Sequence, residues 1–367
     1  MPGTVYRNAV EVTENAEGRN LSTYNRLASC VVSATTITVP PTSYNANSGI
    51  VLAQNGKLYC VQYSVSTDKK PFAVTITDNG LEYEQLSLDS IGAPYTWQGV
   101  YCALAPNGLI YCVPLQDTRV MTINPDTHEV LAPITGLTSE LYKGGALHPN
   151  GKIYCAPWVQ TSSGHIGVID TSNNTIDTSI TGPTGSYMYH GGVLAPNGKI
   201  YCAPSGATNV LIIDPEAGTA DWTTITGVSS GYAPGTLAHN GKIYFPPTSS
   251  TKVLIVDTSD DTAEETSITG LTGTDKYGNS VLAQDGKIYC CPSDATNILI
   301  IDPETDTADT TTISGLSSTS FKHHCMVLAP NGKIYCPPEG TFDKFTVINP
   351  GIAKYPIAPL LSPYQNS

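Results

Sequence analysis

Short runs of Val, Ile, Thr and Tyr alternate along most of this chain with clusters of Gly, Asn, Asp and Pro. No stretch shows the 3.6-residue apolar period of an amphipathic helix. The run Gly191-Gly192-Val193-Leu194-Ala195-Pro196-Asn197-Gly198-Lys199-Ile200-Tyr201-Cys202-Ala203-Pro204 recurs with small changes. Its central glycine falls at Gly56, Gly108, Gly151, Gly198, Gly241, Gly286 and Gly332, at intervals of 43 to 52 residues that average 46. A tyrosine follows each glycine by three residues: Tyr59, Tyr111, Tyr154, Tyr201, Tyr244, Tyr289 and Tyr335.

A second motif follows the first, as in Val210-Leu211-Ile212-Ile213-Asp214-Pro215, a polar turn and then Thr223-Thr224-Ile225-Thr226-Gly227, with counterparts at Val253 to Asp257 and Ile298 to Pro303. Each repeat therefore holds four short runs of β-branched and aromatic residues, which fit a pleated, packed surface. The Asn-Gly or Asp-Gly between the first two runs is a hairpin signal, because both residues tolerate the positive φ that a tight turn demands. A parallel β-helix would need a shorter repeat, and a helical solenoid a different period. The pattern predicts an all-β chain, a seven-bladed β-propeller of four-stranded antiparallel blades. Closing seven blades into a ring also leaves no sheet edge exposed.

The phrase G-x-x-L-A-x-N-G-K-I-Y-C-x-P, with V-L-I-I-D-P and T-x-T-I-T-G after it, resembles the YVTN-type propeller repeat of bacterial and archaeal surface and periplasmic proteins. The matching residues are the N-G-K turn, the tyrosine of the second strand and the I-D-P or I-D-T that ends the third, over nearly all of residues 45 to 350. The resemblance implies the fold and says little about activity, because propellers host many functions. The chain departs from it at Tyr-Cys-Ala-Pro, where Cys and Pro stand for Val and Asn.

The chain divides into an N-terminal arm, 1–27, outside the repeats and without clear periodicity, and a propeller, 28–367. Thr35-Thr36-Ile37-Thr38-Val39 matches the fourth-strand sequence and precedes the first full repeat, so the N-terminal strand is expected to close the ring. Lys354 to Leu360 is then an added layer.

Charged residues are only 13% of the chain and the formal charge is −13. That disfavours nucleic acid, whose phosphates call for Lys and Arg clusters, and an anionic membrane surface. No apolar stretch reaches transmembrane length, and the first residues lack the apolar core of a signal peptide, so no membrane insertion and a reducing compartment are expected. Six of the ten cysteines follow the repeat tyrosine: Cys60, Cys112, Cys155, Cys202, Cys290 and Cys336, with Phe245 in the seventh place. A column that accepts Cys or Phe reads as apolar packing by free thiols.

Three chemical motifs are weak. The acidic turn Asp302-x-Glu304-x-Asp306 lacks the glycine and distant glutamate of a calcium loop. Gly227-Val228-Ser229-Ser230-Gly231 fits G-x-S-x-G but has no helix after it to build a nucleophile elbow. His323-His324-Cys325 has no third ligand nearby, so no metal and no cofactor are implied. Six lysines of the N-G-K turns (Lys57, Lys152, Lys199, Lys242, Lys287 and Lys333) are expected to ring one face, with acids farther out.

The loops leading into each first strand carry aromatics: Tyr44, Tyr95 and Trp97, Tyr142, Tyr187 and Tyr189, Tyr232, Tyr277 and Phe321. Lys143, His190, Lys322, His323 and His324 sit among them. These residues either pack between blades or line a mouth that stacks on a sugar or anchors a partner. The overall expectation is a non-catalytic binding or structural module in a virion, a phage or virus tail, fibre or capsid-attached protein assembled in the host cytoplasm. Its arm would hold other protein subunits and its mouth a cell-surface glycan or protein. The alternatives are a propeller enzyme (lyase or glycan hydrolase) and a cytoplasmic protein-interaction scaffold.

Overall fold

The computed structural model describes residues 4–7, 10–13, 32–38, 47–62, 70–78, 80–88, 99–115, 117–137, 141–160, 164–340, 342–351 and 354. All regular structure among them is β-strand. Seven four-stranded antiparallel sheets form the blades of a propeller. Their first strands are Asn47–Leu52, Gly99–Leu104, Leu141–Leu147, Tyr189–Leu194, Thr236–Leu237, Tyr277–Leu282 and Val327–Leu328, in blades 1 to 7. Each first strand contacts the first strand of the next blade, and the seventh contacts the first, so these strands line the axis.

Blade 7 is built from both chain ends. Ser33–Thr38 pairs antiparallel with Lys344–Asn349, from Ser33 opposite Asn349 to Thr38 opposite Lys344. The N-terminal strand is the closing one, as the Thr-rich match implies. The arm holds one hairpin, Thr4–Arg7 on Val10–Thr13, whose short alternation the sequence reading did not register. The rest of the arm, and 355–360 of the expected added layer, lie outside the described residues.

The apolar core sits between blades. One cluster joins Val113 and Val120 of blade 2 to Tyr142, Ile153 and Cys155 of blade 3, and another joins Tyr201 and Ile212 of blade 4 to Tyr232 and Phe245 of blade 5. The six column cysteines and Phe245 are all buried in these clusters. The nine described cysteines are free. Burial drives the thiols of Cys155, Cys202 and Cys290 far up in pKa, so they act as small hydrophobes.

The repeated Asn-Gly turn holds neighbouring blades together. Gly198 takes φ 81°, a left-handed conformation open to glycine at no steric penalty. The preceding Asn197 accepts the Lys199 N–H at 3.0 Å, and its amide donates to Tyr201 Oη at 2.9 Å and to the Thr258 carbonyl of blade 5 at 2.8 Å. Asn55 reaches Pro125 O, Asn107 reaches Thr171 O and Asn240 reaches Pro303 O in the same way, at 2.9, 2.7 and 2.9 Å. In blade 6 an aspartate takes the place. Asp285 accepts from Tyr289 Oη at 2.8 Å and from the Gly351 N–H of blade 7 at 3.1 Å.

Five of the six expected lysines meet an acid. Lys57, Lys152, Lys199, Lys242 and Lys287 pair with Glu84, Asp170, Asp261, Asp306 and Asp302 at 2.9 to 3.7 Å. Such exposed pairs each contribute about 0–1 kcal/mol. Asp302 caps its own turn by accepting the Glu304 N–H at 3.1 Å, while Asp306 turns to Tyr244 of blade 5. With the Glu304 carboxylate paired to Lys354 Nζ at 2.9 Å, the three acids of the calcium-like spacing are committed separately. Ser229 of the G-x-S-x-G match donates to Glu265 at 3.1 Å, in a loop with no helix.

Replacing Asn197 by Ala strands the Thr258 carbonyl, while the Tyr201 hydroxyl keeps its bond to Asp261. The expected loss of stability is about 1–3 kcal/mol, read by chemical denaturation. Asn55→Ala should cost less, since Tyr59 Oη itself donates to the Pro125 carbonyl at 2.8 Å and leaves it partnered.

Candidate functional site at the propeller mouth

The mouth forms where the first strands begin. Alternation along these strands decides which residues face it, because successive side chains point to opposite sides. Tyr142, Tyr189, Tyr232 and Tyr277 occupy one column and turn into the interblade core, all buried. The Tyr189 and Tyr277 hydroxyls donate to Asn209 and Asn297, the latter at 2.6 Å, and that of Tyr232 donates to Glu265. The aromatic column is packing and not mouth surface, which corrects the reading of these four residues. Tyr44, Tyr95 and Trp97 lie outside the described residues.

His323 stands in the same column as those tyrosines and is buried with them. Its Nδ1 is 2.7 Å from the Pro337 carbonyl and its Nε2 2.7 Å from Thr346 Oγ1. A carbonyl only accepts, so Nδ1 carries the proton and Nε2 takes one from the threonine. Burial lowers its pKa to about 4, opposed by the Pro337 carbonyl and aided by Lys322. Lys322 is buried too, with Nζ donating to Thr319 O at 3.0 Å. Both residues are scaffold.

The residue after that column faces the axis. It is Lys143 in blade 3, His190 in blade 4 and His324 in blade 7. His190 and His324 stack at a 5.5 Å centroid separation and 28°. Lys143 Nζ lies 4.1 Å above the Trp158 ring, which also meets His190 edge-on at 6.2 Å. Glu339 completes the group. Its N–H donates to the Lys322 carbonyl at 2.8 Å, and its Oε2 lies 3.8 Å from His324 Nδ1. The His323–Pro337 contact and this backbone bond pin the Glu339 loop against the segment that carries His324, just ahead of the first strand of blade 7.

Trp158 and Glu339 are residues that the sequence reading missed. Both follow the second-strand proline, in a column that reads Leu115, Trp158, Ser205, Thr248, Ser293 and Glu339 in blades 2 to 7. Variation in a column beside invariant neighbours is the signal that marks them.

Desolvation dominates the electrostatics of the cluster. It raises the Glu339 carboxyl to about 7, against the pull of Lys143. It lowers the Lys143 amine to about 8, against the Glu339 and Asp275 carboxylates. It lowers His324 to about 3, helped by Lys143, and holds His190 well below the usual imidazole range, helped by Lys143 and His324. The His324–Glu339 approach is therefore a contact of a neutral ring and not an ion pair. Two buried atoms, His324 Nε2 and Glu339 Oε2, have no hydrogen-bond partner. Buried polar atoms are rarely left so, and a ligand would satisfy them.

The floor beneath is backbone. The first strands of blades 3, 4 and 5 approach so closely that a Cβ on Gly144 would lie 2.8 Å from Gly191 Cα, and one on Gly191 2.7 Å from Pro234. Tyr101, Asn279 and Cys325 line the same pocket. At its rim Tyr187 and Phe321 stand 62% and 51% exposed. No three His, Cys, Asp or Glu side chains cluster to hold a metal ion among the described residues.

No protein-family model matches this chain. No curated protein matches it either. Solved structures do. A catalytically inactive histidine-to-alanine variant of virginiamycin B lyase from Staphylococcus aureus, with quinupristin, aligns at 14% identity and a TM-score of 0.69, over 87% of this chain and 99% of that one. A streptogramin B lyase aligns at 13% and 0.65, over 86% and 97%. Hydrazine synthase of Kuenenia stuttgartiensis aligns at 16% and 0.61, over 86% and 98%. At these identities the likeness shows the propeller fold. It also corrects the expectation of a non-catalytic virion module: the similar propellers include enzymes, and none of the three points to a virion.

The burial of the two imidazoles has a direct readout. In a pH titration by NMR, His190 and His324 should stay neutral at pH 5, whereas a ring open to solvent titrates near 6.5.

Proposed function

We propose that this protein is a propeller lyase that eliminates a leaving group from a carbon beside a carbonyl, at the mouth formed by Lys143, His190, His324 and Glu339. The observation that carries this reading is the buried, unpartnered pair of His324 Nε2 and Glu339 Oε2, set next to a desolvated ammonium. The structural likeness to two lyases, one of which loses catalysis with a histidine, supports it.

The geometry suits proton abstraction. Glu339, poised near neutrality, is the general base and takes the proton α to the carbonyl, because a base works best with a pKa near the working pH. Negative charge then develops on the carbonyl oxygen, where the Lys143 ammonium stabilises it in a site shielded from water. The α–β double bond forms as the β-carbon loses its leaving group, which departs with the proton returned by Glu339. His324 Nε2, neutral, hydrogen-bonds the leaving atom or the carbonyl. Bonds and protons balance with no oxidant or reductant. Glycoside hydrolysis fits less well, since it relies on two opposed carboxyl groups and the mouth sets an imidazole against Glu339.

The test is turnover of quinupristin and a panel of β-substituted acyl compounds, followed by absorbance of the new conjugated double bond and by mass. Elimination keeps the summed mass of substrate, whereas hydrolysis adds one water. Glu339→Gln should lower kcat/KM about 10²–10⁴-fold, and Lys143→Met about 10²–10³-fold. A wild-type protein that eliminates from none of these compounds, or a Glu339→Gln variant at full rate, would sink the reading.

The pH profile of kcat/KM should be bell-shaped. Activity falls below about 7 as Glu339 takes up a proton and above about 8 as Lys143 loses one. A flat profile between pH 6 and 9 would deny these two groups their roles.

A further inference from the structure

Tyr187 and Phe321 are the large hydrophobic side chains left exposed among the described residues. Both take left-handed backbone, φ 58° and 50°, a region that bulky residues rarely adopt. Neither is a loose loop tip. The Gly206 N–H donates to Tyr187 O at 2.7 Å, and the Phe321 N–H donates to Asp294 Oδ1 at 2.6 Å. Rigid, strained and exposed aromatics at a cleft are the positions where strain accompanies ligand contact.

From Tyr187 the aromatic surface runs inward without a break. Trp158 meets Tyr187 edge-on at 5.3 Å, then carries Lys143 Nζ at 4.1 Å, with His190 beyond. The surface thus ends at an ammonium that forms no ion pair or hydrogen bond with any described residue, beside the buried vacant atoms of His324 and Glu339. A flat apolar wall leading to one cation defines its complement. That complement is a planar apolar group joined at one end to an oxygen that bears or develops negative charge. A cationic ligand would oppose Lys143. A glycan would need side-chain carboxylates or amides along the wall to bond its hydroxyls, and the wall offers rings.

We infer that the mouth selects aryl-acyl compounds, the aromatic ring packing on Tyr187, Trp158 and Phe321 and the carbonyl or carboxylate oxygen on Lys143. This deepens the lyase reading by naming its substrate class, and it rests on that reading for turnover but not for binding.

The test uses isothermal titration calorimetry of the full chain with two unsaturated acids, trans-cinnamate and crotonate. They share the carboxylate and double bond and differ in phenyl against methyl. Cinnamate should bind about tenfold or more tightly than crotonate, since aromatic packing contributes beyond area alone. Tyr187→Ser with Phe321→Ser, both at exposed positions, should erase the preference and leave crotonate unchanged. Lys143→Met should weaken both acids. Equal affinities, binding of neither acid, or a preference that survives the double serine variant would overturn the inference. Glu339→Gln should keep the preference. Discrimination without elimination would then remove the lyase reading alone, and elimination without discrimination would remove this inference alone.

Discussion

The joints between blades depend on one bonding pattern, the asparagine amide that at Asn55, Asn107, Asn197 and Asn240 spans from its own hairpin to the next blade. Blades with an apolar core between them can still slide, because hydrophobic contact has no direction. A hydrogen bond from Asn107 to Thr171 O, or from Asn240 to Pro303 O, has direction and reach. The tyrosine hydroxyl beneath it fixes the amide orientation. With the wedge angle set in this way, the first strands converge on a common axis. The mouth is the place where that convergence leaves room for a few side chains.

That arrangement explains which parts of the protein could be read from its residues. The repeat, the hairpins, the buried cysteine column and the closing strand are written many times over, and repetition makes a weak local signal strong. The mouth is written once per position. Lys143, His190 and His324 were visible as candidates, but so were Tyr142, Tyr189 and His323, one residue away. What separates the two sets is the pleat of the strand, which sends one column to the core and the next to the axis. Reading that parity needs the strand to be in register, and the first strands of blades 1, 2, 3, 4 and 6 carry a shift near this point. Glu339 was hidden for another reason. It comes from the far end of a second strand and meets His324 only through the fold.

The chemistry of the site follows from the same economy. Apart from Tyr187 and Phe321 at the rim, its functional side chains come from two columns of the repeat, the residue after the core tyrosine and the residue after the second-strand proline. Most blades fill these columns with small or neutral residues such as Ala233, Gly278, Ser205 and Ser293. Three blades place a cation or an imidazole in the first column, and blades 3 and 7 place Trp158 and Glu339 in the second. Gly278 is held to glycine by blade 7, since a Cβ there would lie 2.3 Å from His324 O, whereas Ser205 and Ser293 make no side-chain bond to a described residue of a neighbouring blade that a change would break. A scaffold with this layout can acquire chemistry at its centre while its walls stay as they are.

Asp285 shows what a break in the repeat encodes. At Asn55, Asn107, Asn197 and Asn240 the next blade turns back on itself and offers a carbonyl, so the latch donates. After Lys344–Asn349 the chain does not turn back, because the fourth strand of that blade comes from the other end of the protein. It runs on toward blade 6, where the Lys354 N–H meets the Gln284 carbonyl at 2.7 Å, and on the way it presents the Gly351 N–H. An acceptor is needed there, and an aspartate supplies it. The swap of a single amide for a carboxylate thus marks the seam of the ring within the sequence. It also makes the seven joints non-equivalent, so that a chain of near-identical units has one order in which its circle can shut.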